Sequence, residues 1–226
     1  MPGRDAVLAW IRAALADVTV SPPVPRGYRE RGEASPARRL ELFVERVEEY
    51  GTTVVVTADP AGAATQALRA QEASRVVVAP DLAQELRPAG VTIVEDVGLT
   101  ASELDGLDGA LTTCAAACAD TGTIALDGGP GQGRRAITLV PDLHVCIVSA
   151  AQIVETVPEL FDRLAASARE RRPLVLVSGP SATSDIELHR VEGVHGPRRL
   201  VVIVAVRNVS DTGTAMLCEQ SIDIGA

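Results

Sequence analysis

The sequence predicts an α/β protein with a mostly parallel, doubly wound sheet and an N-terminal helical segment. Val-rich runs alternate with helical periodicity between Thr53 and Val94, and the connections are short. This rhythm is typical of right-handed βαβ units. Hydrophobic residues make up 46% of the chain and aromatic residues only 2%, so the predicted core is aliphatic. Runs of Val favour parallel strands that are buried on both faces.

Length and charge exclude several classes of protein. The chain has 226 residues, which fits one large domain or a domain with an appendage. Its net charge of −9 argues against nonspecific nucleic-acid binding. All 21 basic residues are Arg, and the absence of Lys excludes Schiff-base chemistry and a Walker-type phosphate loop. Any anion must therefore be held by Arg, backbone N–H groups or hydroxyls.

The same composition predicts a cytoplasmic protein. No apolar run approaches the roughly 20 residues that span a bilayer. The N-terminus begins an amphipathic segment and not a secretory apolar region. Four cysteines in a chain of this length do not form a disulfide framework, so a reducing compartment is the simpler interpretation.

Residues 1–50 are expected to form two helices and a Pro-rich arm that pack on the main domain. Apolar spacing predicts a helix over Asp5–Asp17, and residues 18–35 form the arm. Ser35 is a plausible N-cap and Pro36 the first residue of a second helix, which ends at Gly51.

The α/β domain is predicted to cover residues 51–206, with a tail over 207–226. Strands are expected at Thr53–Thr57, Arg75–Ala79, Val91–Val94, Thr123–Leu126, Ala136–Val140, Val145–Ser149, Leu174–Ser178 and Leu200–Val206. Helices are expected at Ala61–Ala70, Asp81–Leu86, Ala110–Ala119, Val157–Arg169 and Ala182–His189. The glycine cluster 128–133 is interpreted as a hairpin tip, after which Arg134 and Arg135 could face a ligand.

Ligands of parallel sheets bind at loops beyond the strand ends, and three segments qualify. In the first, Asp120-Thr121-Gly122-Thr123, hydroxyls and a glycine can present donors to an anion while Asp120 acts as acid or base. The structural alternative is a turn in which Asp and Thr bind the local backbone.

The second segment runs from Ser178-Gly179-Pro180-Ser181 through Thr183 to Asp185 and Glu187. If it opens a helix, its N–H groups favour a phosphate or carboxylate. Asp185 and Glu187 are two residues apart and cannot share one helical face. Simple N-capping by Ser181 or Thr183 is the alternative.

The third segment is Val194-His195-Gly196-Pro197-Arg198-Arg199. An imidazole and guanidinium groups on a rigid loop could hold a carboxylate and move a proton. The alternative is a structural turn before the last strand, and the same caution applies to His144 after Pro141-Asp142-Leu143.

The cysteines do not predict a metal site. Cys114 and Cys118 are four residues apart in the expected Ala110–Ala119 helix, Cys146 is expected in a strand, and Cys218 lies in the tail. A zinc or iron–sulfur site would need paired Cys-x-x-Cys spacing or nearby His ligands.

Taken together, these segments resemble the LUD domain, and most closely its lactate-utilization protein C (LutC/YkgG) subfamily. The resemblance rests on Ser178-Gly179-Pro180-Ser181 with Asp185-Ile186-Glu187, and on Gly193-Val194-His195-Gly196-Pro197-Arg198. Asp120–Thr123 and Leu139-Val140-Pro141-Asp142-Leu143-His144 are similar to two further signatures. The resemblance covers about residues 5–206, and residues 207–226 depart from the family's sequence pattern.

The resemblance implies a fold akin to the NagB/RpiA/CoA-transferase-like superfamily. It also implies membership of a three-protein system that oxidises L-lactate to pyruvate, with the iron–sulfur clusters in partner subunits. The Cys motifs of those partners are absent here, so we expect no cofactor in this chain.

Motif position and chemistry together define the candidate residues. The predicted catalytic residues are Asp120, Asp185, Glu187 and His195. The predicted ligand-binding residues are Thr121, Gly122, Thr123, His144, Ser178, Gly179, Ser181, Thr183, Gly196 and Arg198.

Three hypotheses of function stay open. The first is an accessory subunit of a lactate-oxidizing (dehydrogenase) complex, itself without a redox centre. The second is an independent CoA-transferase-like or sugar-phosphate-isomerase-like enzyme, or a small-anion-binding protein, by analogy of fold. The third is a structural interaction protein whose arm, 18–35, docks a partner.

Overall fold

The computed structural model describes residues 3–16, 24–183, 191–192 and 196–206. The α-helices in these ranges are α1 (Gly3–Ala14), α2 (Pro36–Glu48), α3 (Pro60–Ala70), α4 (Ala101–Asp105) and α5 (Val157–Arg169). The strands are β1 (Thr53–Thr57), β2 (Arg75–Val78), β3 (Thr92–Glu95), β4 (Gly109–Thr112), β5 (Ala116–Cys118), β6 (Thr123–Leu126), β7 (Leu143–Ser149), β8 (Ile153–Val154), β9 (Val175–Val177), β10 (Ala182–Thr183), β11 (Val191–Glu192) and β12 (Arg199–Ala205). Short 3₁₀ turns lie at Gln84–Leu86, Arg135–Thr138 and Ala150–Gln152.

A parallel central sheet confirms the predicted fold class. Six strands are ordered β1-β12-β7-β4-β2-β3, and every neighbouring pair is parallel. Along β12, Val201 and Ile203 join the apolar cluster that contains Leu68 of α3. Val202 and Val204 join the cluster that contains Phe43 of α2. Both faces are therefore covered, which explains the Val runs without polar alternation.

A second sheet replaces the helix predicted over Ala110–Ala119. This sheet is ordered β8-β5-β6-β9, and β5 pairs with β6 in antiparallel fashion. Residues of β4 and β5 are buried throughout. Ala117 of β5 packs in the cluster that contains Phe43 of α2, and Ala116 and Cys118 pack in the cluster that contains Leu160 of α5. A run of small, fully buried residues lacks the periodicity that separates a helix from a strand, so that prediction was wrong. Cys114 consequently lies between β4 and β5, while Cys118 ends β5.

Other predicted elements also differ from the structure. Ala136–Val140 is not a strand, because a 3₁₀ turn occupies Arg135–Thr138, and β6 pairs with β5 and β9. The predicted helix Ala182–His189 does not begin at Ala182, since Ala182–Thr183 is a strand paired with Val191–Glu192. Residues 184–190 lie outside the described residues. Within the expected loose stretch 95–109, α4 begins at a capping box formed by Thr100 and Glu103.

The N-terminal helices differ in how they pack. Ser35 caps α2 as predicted, with its hydroxyl accepting a hydrogen bond from Arg38 N at 3.2 Å. Phe43 and Val47 bury α2 against the central sheet. By contrast, α1 has no buried residue, and its Trp10 is 74% exposed. Among the described helices, none is both long and apolar enough to cross a membrane.

Candidate functional site

The turn between β5 and β6 holds the first group of predicted site residues. Its backbone is tied to the chain after β8, because Asp120 N donates to Glu155 O at 3.0 Å. Gly122 has φ +58, and a Cβ there would lie 2.8 Å from the carbonyl carbon of Arg46 and 2.9 Å from Val47 N. The turn thus sits directly on the α2 backbone, which only glycine permits at this position.

A chain of hydroxyl groups joins the first predicted segment to the second. Thr121 Oγ1 lies 2.7 Å from Thr123 Oγ1, which lies 2.8 Å from Ser178 Oγ. The antiparallel pairing of β6 with β9 brings them together, with Ile124 opposite Val177. Each hydroxyl group can donate and accept a hydrogen bond, so the terminal hydroxyl of this hydroxyl chain can present a donor or an acceptor to a ligand.

The arm places a guanidinium over the carboxylate of Asp120. Arg29 forms an ion pair with Asp120 Oδ2, and its other terminal nitrogen lies 2.7 Å from Glu155 Oε1. Glu155 also accepts a hydrogen bond from Ala34 N at 2.6 Å. A Cβ on Gly32 would lie 2.2 Å from Glu155 Oε2, so the arm passes in close contact with this side chain. The segment 24–34 is therefore a strap, pinned beside the predicted acid.

Sequence reasoning missed Arg29 and Glu155. Arg29 lies in a polar, Pro-rich stretch that carries no periodic signal, and its contacts are 91 and 126 residues away along the chain. Glu155 had one usable signal. It directly precedes Thr156, whose capping box with Glu159 marks the start of α5.

The second and third predicted segments also meet. Ser181 N donates to Pro197 O at 2.8 Å, and Gly196 lies against the Ser181 side chain. Gly179 packs on Tyr50, since a Cβ there would lie 2.7 Å from the tyrosine Cβ.

Other residues of these segments are exposed or only partly described. Arg198 pairs with Asp142 at 3.5 Å, and both side chains are more than half exposed. For Thr183 the structure describes the backbone, in β10. Asp185, Glu187 and His195 lie outside the described residues, so their catalytic roles stay predictions.

His144 occupies a different environment. Its side chain is in β7 of the central sheet, 2% exposed, with Nε2 2.8 Å from Thr112 Oγ1. Burial, helped by the charge of Arg135, lowers the pKa of His144 to about 4. The imidazole is therefore neutral at pH 7, and this geometry favours the structural alternative given above.

The described cysteines are buried thiols. Contact with Cys146 and burial raise the pKa of Cys114, and burial raises the pKa of Cys118. Both groups therefore favour the protonated thiol, whereas a metal ligand must be a thiolate. Within the described ranges, no group of three or more His, Cys, Asp or Glu side chains is arranged to hold a metal ion.

Comparison with known proteins places the chain in a family. A model of the LUD domain matches residues 95–205. Lactate utilization protein C of Deinococcus radiodurans is 49% identical over 173 residues, covering 75% of this chain and 81% of that protein. The chain belongs to the lactate utilization protein C family. The segment that matches the LUD domain includes Asp120, Ser178 and Arg198, so the hydroxyl chain lies within the matched segment.

Further relatives match shorter segments. Lactate utilization protein C of Halalkalibacterium halodurans is 37% identical over 90 residues, which cover 38% of this chain and 39% of that protein. YkgG of Escherichia coli K12 is 36% identical over 89 residues, or 38% of each chain. The crystal structure of a DUF162 family protein from Deinococcus radiodurans aligns with a TM-score of 0.67 and 40% identity, covering 76% of this chain and 99% of that one. The fold of this DUF162 family protein therefore agrees with the fold described above over about three quarters of this chain.

Proposed function

We propose that this protein serves lactate utilization as an accessory subunit, without a redox centre of its own, of an iron–sulfur system that oxidises L-lactate to pyruvate. The 49% identity to a lactate utilization protein C, over 81% of that protein, carries the proposal. Iron–sulfur clusters are then supplied by partner subunits. The spacing of the cysteines supports this division, because the chain has no Cys-x-x-Cys pair of the kind that holds iron–sulfur clusters.

The hydroxyl chain and the neighbouring carboxylates are the part of this subunit proposed to handle substrate or partner. Thr121, Thr123 and Ser178 form one hydrogen-bonded row, and Asp120 lies in the same turn. Arg29 pairs with both Asp120 and Glu155, so its single positive charge offsets one of the two carboxylates. The row of hydroxyl groups supplies neutral donors and acceptors, which suit the hydroxyl group of a small 2-hydroxy acid or a polar group of a partner subunit.

Growth on L-lactate as the sole carbon source tests the proposed pathway. A deletion strain should fail to grow, and the wild-type gene should restore growth. Normal growth of the deletion strain, in a background with no second lactate dehydrogenase, would contradict the proposal. In that case an unbiased metabolite screen by thermal stabilisation would test the independent-enzyme hypothesis.

Matched variants test the proposed site. Ser178→Ala and Asp120→Asn should slow growth on lactate, whereas Ser102→Ala and Asp105→Asn, both at exposed positions of α4, should not. His195→Ala extends the test to the third predicted segment. Full growth of the Ser178 and Asp120 variants would exclude the hydroxyl chain from function while leaving the pathway assignment intact.

A biochemical assay tests the accessory role. The purified chain should be colourless and should not turn over L-lactate with an artificial electron acceptor. Mixed with the iron–sulfur subunits, it should raise their lactate-oxidising rate. Turnover by the chain alone would contradict the accessory role.

A further inference from the structure

A pocket lies at the far end of β6 from the hydroxyl chain. It has a volume of about 330 Å³ and lies between the glycine loop 128–133, the 3₁₀ turn that follows it and the residues leading into β9. Thr123 and Asp127 bound β6 at its two ends, so the pocket and the hydroxyl chain are roughly 13 Å apart along the strand. The volume is at the lower end of the range for small-molecule sites.

Three guanidinium groups line this pocket in a protein whose net charge is −9. Its lining includes the guanidinium-bearing residues Arg134, Arg135 and Arg172, with Asp127 as the one carboxylate among the lining residues. Arg134 is held in place by a bidentate pair with Asp96, at 2.6 and 2.9 Å. Arg134 and Arg135 are neighbours in the chain, and the tertiary structure brings Arg172, which follows α5, to the same pocket.

The carboxylate of Asp127 is already engaged by the protein. It accepts hydrogen bonds from Ser167 Oγ at 2.5 Å, Gln132 Nε2 at 2.9 Å and Gly129 N at 3.0 Å, and it lies 3.1 Å from an Arg172 nitrogen. Burial alone would raise the pKa of Asp127, but these hydrogen bonds and Arg172 lower it below the usual range. Asp127 therefore anchors the glycine loop and orients Arg172, whose Nε also lies 3.0 Å from Glu170 Oε2.

Arg135 supplies charge from a partly desolvated position. Its guanidinium donates to Thr138 O at 2.8 Å and Thr138 Oγ1 at 3.0 Å. Burial lowers the pKa of Arg135, and its charge helps to lower the pKa of the buried His144. The electric field of a cation in such surroundings is screened less than that of a cation in water. Its attraction to an added anion is therefore stronger.

The glycine loop lies against the core and forms one wall of the pocket. Gly128 and Gly133 have φ values of +67 and +66, and a Cβ on Gly133 would lie 2.7 Å from Ile137 Cδ1. The loop can therefore lie directly on the core with no side chain of its own at these positions. We propose that this pocket binds a small organic oxyanion, a carboxylate or a phosphate monoester, between the guanidinium groups of Arg135 and Arg172.

Titration of the full chain with inorganic phosphate and with L-lactate tests the proposal. Calorimetry should show saturable binding of at least one of them, and the pair distinguishes a phosphorylated ligand from a simple carboxylate. Arg135→Gln should weaken binding roughly tenfold or more, because a charge-assisted hydrogen bond is lost. Arg169→Gln, an exposed arginine at the end of α5, is the matched control and should leave affinity unchanged.

Amide chemical shifts of the wild-type protein give a readout that needs no variant. On titration, the largest changes should fall on Gly128, Gly129, Gly131 and Gly133. Shifts centred elsewhere, unchanged affinity in Arg135→Gln, or the absence of saturable binding of both probes would each overturn the proposal. Because binding is measured on the isolated chain, this result does not depend on the role in lactate utilization.

Discussion

Replacing Gly122 with alanine tests the close contact between the β5–β6 turn and α2. The residue has φ +58, in the left-handed region, and the added Cβ would lie 2.8 Å from the Arg46 carbonyl carbon. It would also lie 2.9 Å from Val47 N. Both neighbours are helix backbone, which cannot rotate away as the end of a side chain can.

The expected loss in the free energy of unfolding of Gly122→Ala has two parts. A non-glycine residue in the left-handed region costs about 1–2 kcal/mol. Forcing an extra carbon into a packed contact adds about 1–3 kcal/mol. Gly122→Ala should therefore lower the free energy of unfolding by about 2–5 kcal/mol.

Gly51→Ala is the matched control. Gly51 also has a positive φ, +76, but a Cβ there meets nothing within 4 Å. Its replacement carries the conformational part alone, about 1–2 kcal/mol. The difference between the two variants isolates the steric contact with α2.

Urea unfolding followed by circular dichroism measures both variants. The midpoint should fall further for Gly122→Ala than for Gly51→Ala, with the slope of free energy against urea unchanged. Equal losses in the two variants would refute the reasoning, because they would show that the turn does not lie against the α2 backbone.

Three further predictions concern buried or pinned groups. The pKa of His144 falls from 6.5 to about 4 on folding. Between these pH values the unfolded chain therefore binds a proton at His144 that the folded chain does not bind. Stability that is fully present above pH 6.5 should be lost as the pH falls toward 4, by about 3 kcal/mol, and the loss should shrink in His144→Gln. The hydroxyl pair at 2.8 Å should show a coupling of about 0.5–1.5 kcal/mol in a double-mutant cycle of Thr123→Val and Ser178→Ala. Glu155→Ala should free the strap 24–34, so that trypsin cleaves at its arginines several-fold faster than in wild type.

Each of these has a result that would count against it. An unchanged pH slope in His144→Gln would assign the acid sensitivity to other groups. Additive losses at Thr123 and Ser178 would mean that their hydroxyls do not bond. For the strap, Glu170→Ala is the control at an exposed position beyond α5, and equal cleavage of the two variants would show that Glu155 does not hold the strap.

Local signals predicted the elements whose pattern is complete within a few residues. The Val run of β1, the strand β6 and the helix α5 have the predicted boundaries. The Ser35 cap of α2 is also present, because capping depends on groups only a few residues apart. The family to which the sequence was assigned by resemblance is confirmed by the relatives.

Predictions failed where several local conformations suit the same residues. The small residues of 110–119 suit a helix by propensity, yet they form β4 and β5 because they are buried on both faces between packed layers. The glycine cluster was interpreted as a hairpin tip, although the following residues form a 3₁₀ turn and Asp127 anchors the loop. In both segments, contacts distant in sequence decide the conformation.

The sequence by itself determined the fold class, the family and the membership of Thr121, Thr123 and Ser178 in a candidate site. Only the tertiary structure joined those hydroxyls, placed Arg29 against Asp120 and Glu155, and gathered Arg134, Arg135 and Arg172 around one pocket. The physical reason is the distance along the chain over which each interaction acts. Periodicity and capping act over a few residues and can be read along the chain, whereas an ion pair across 91 residues depends on how the sheets and the strap pack together.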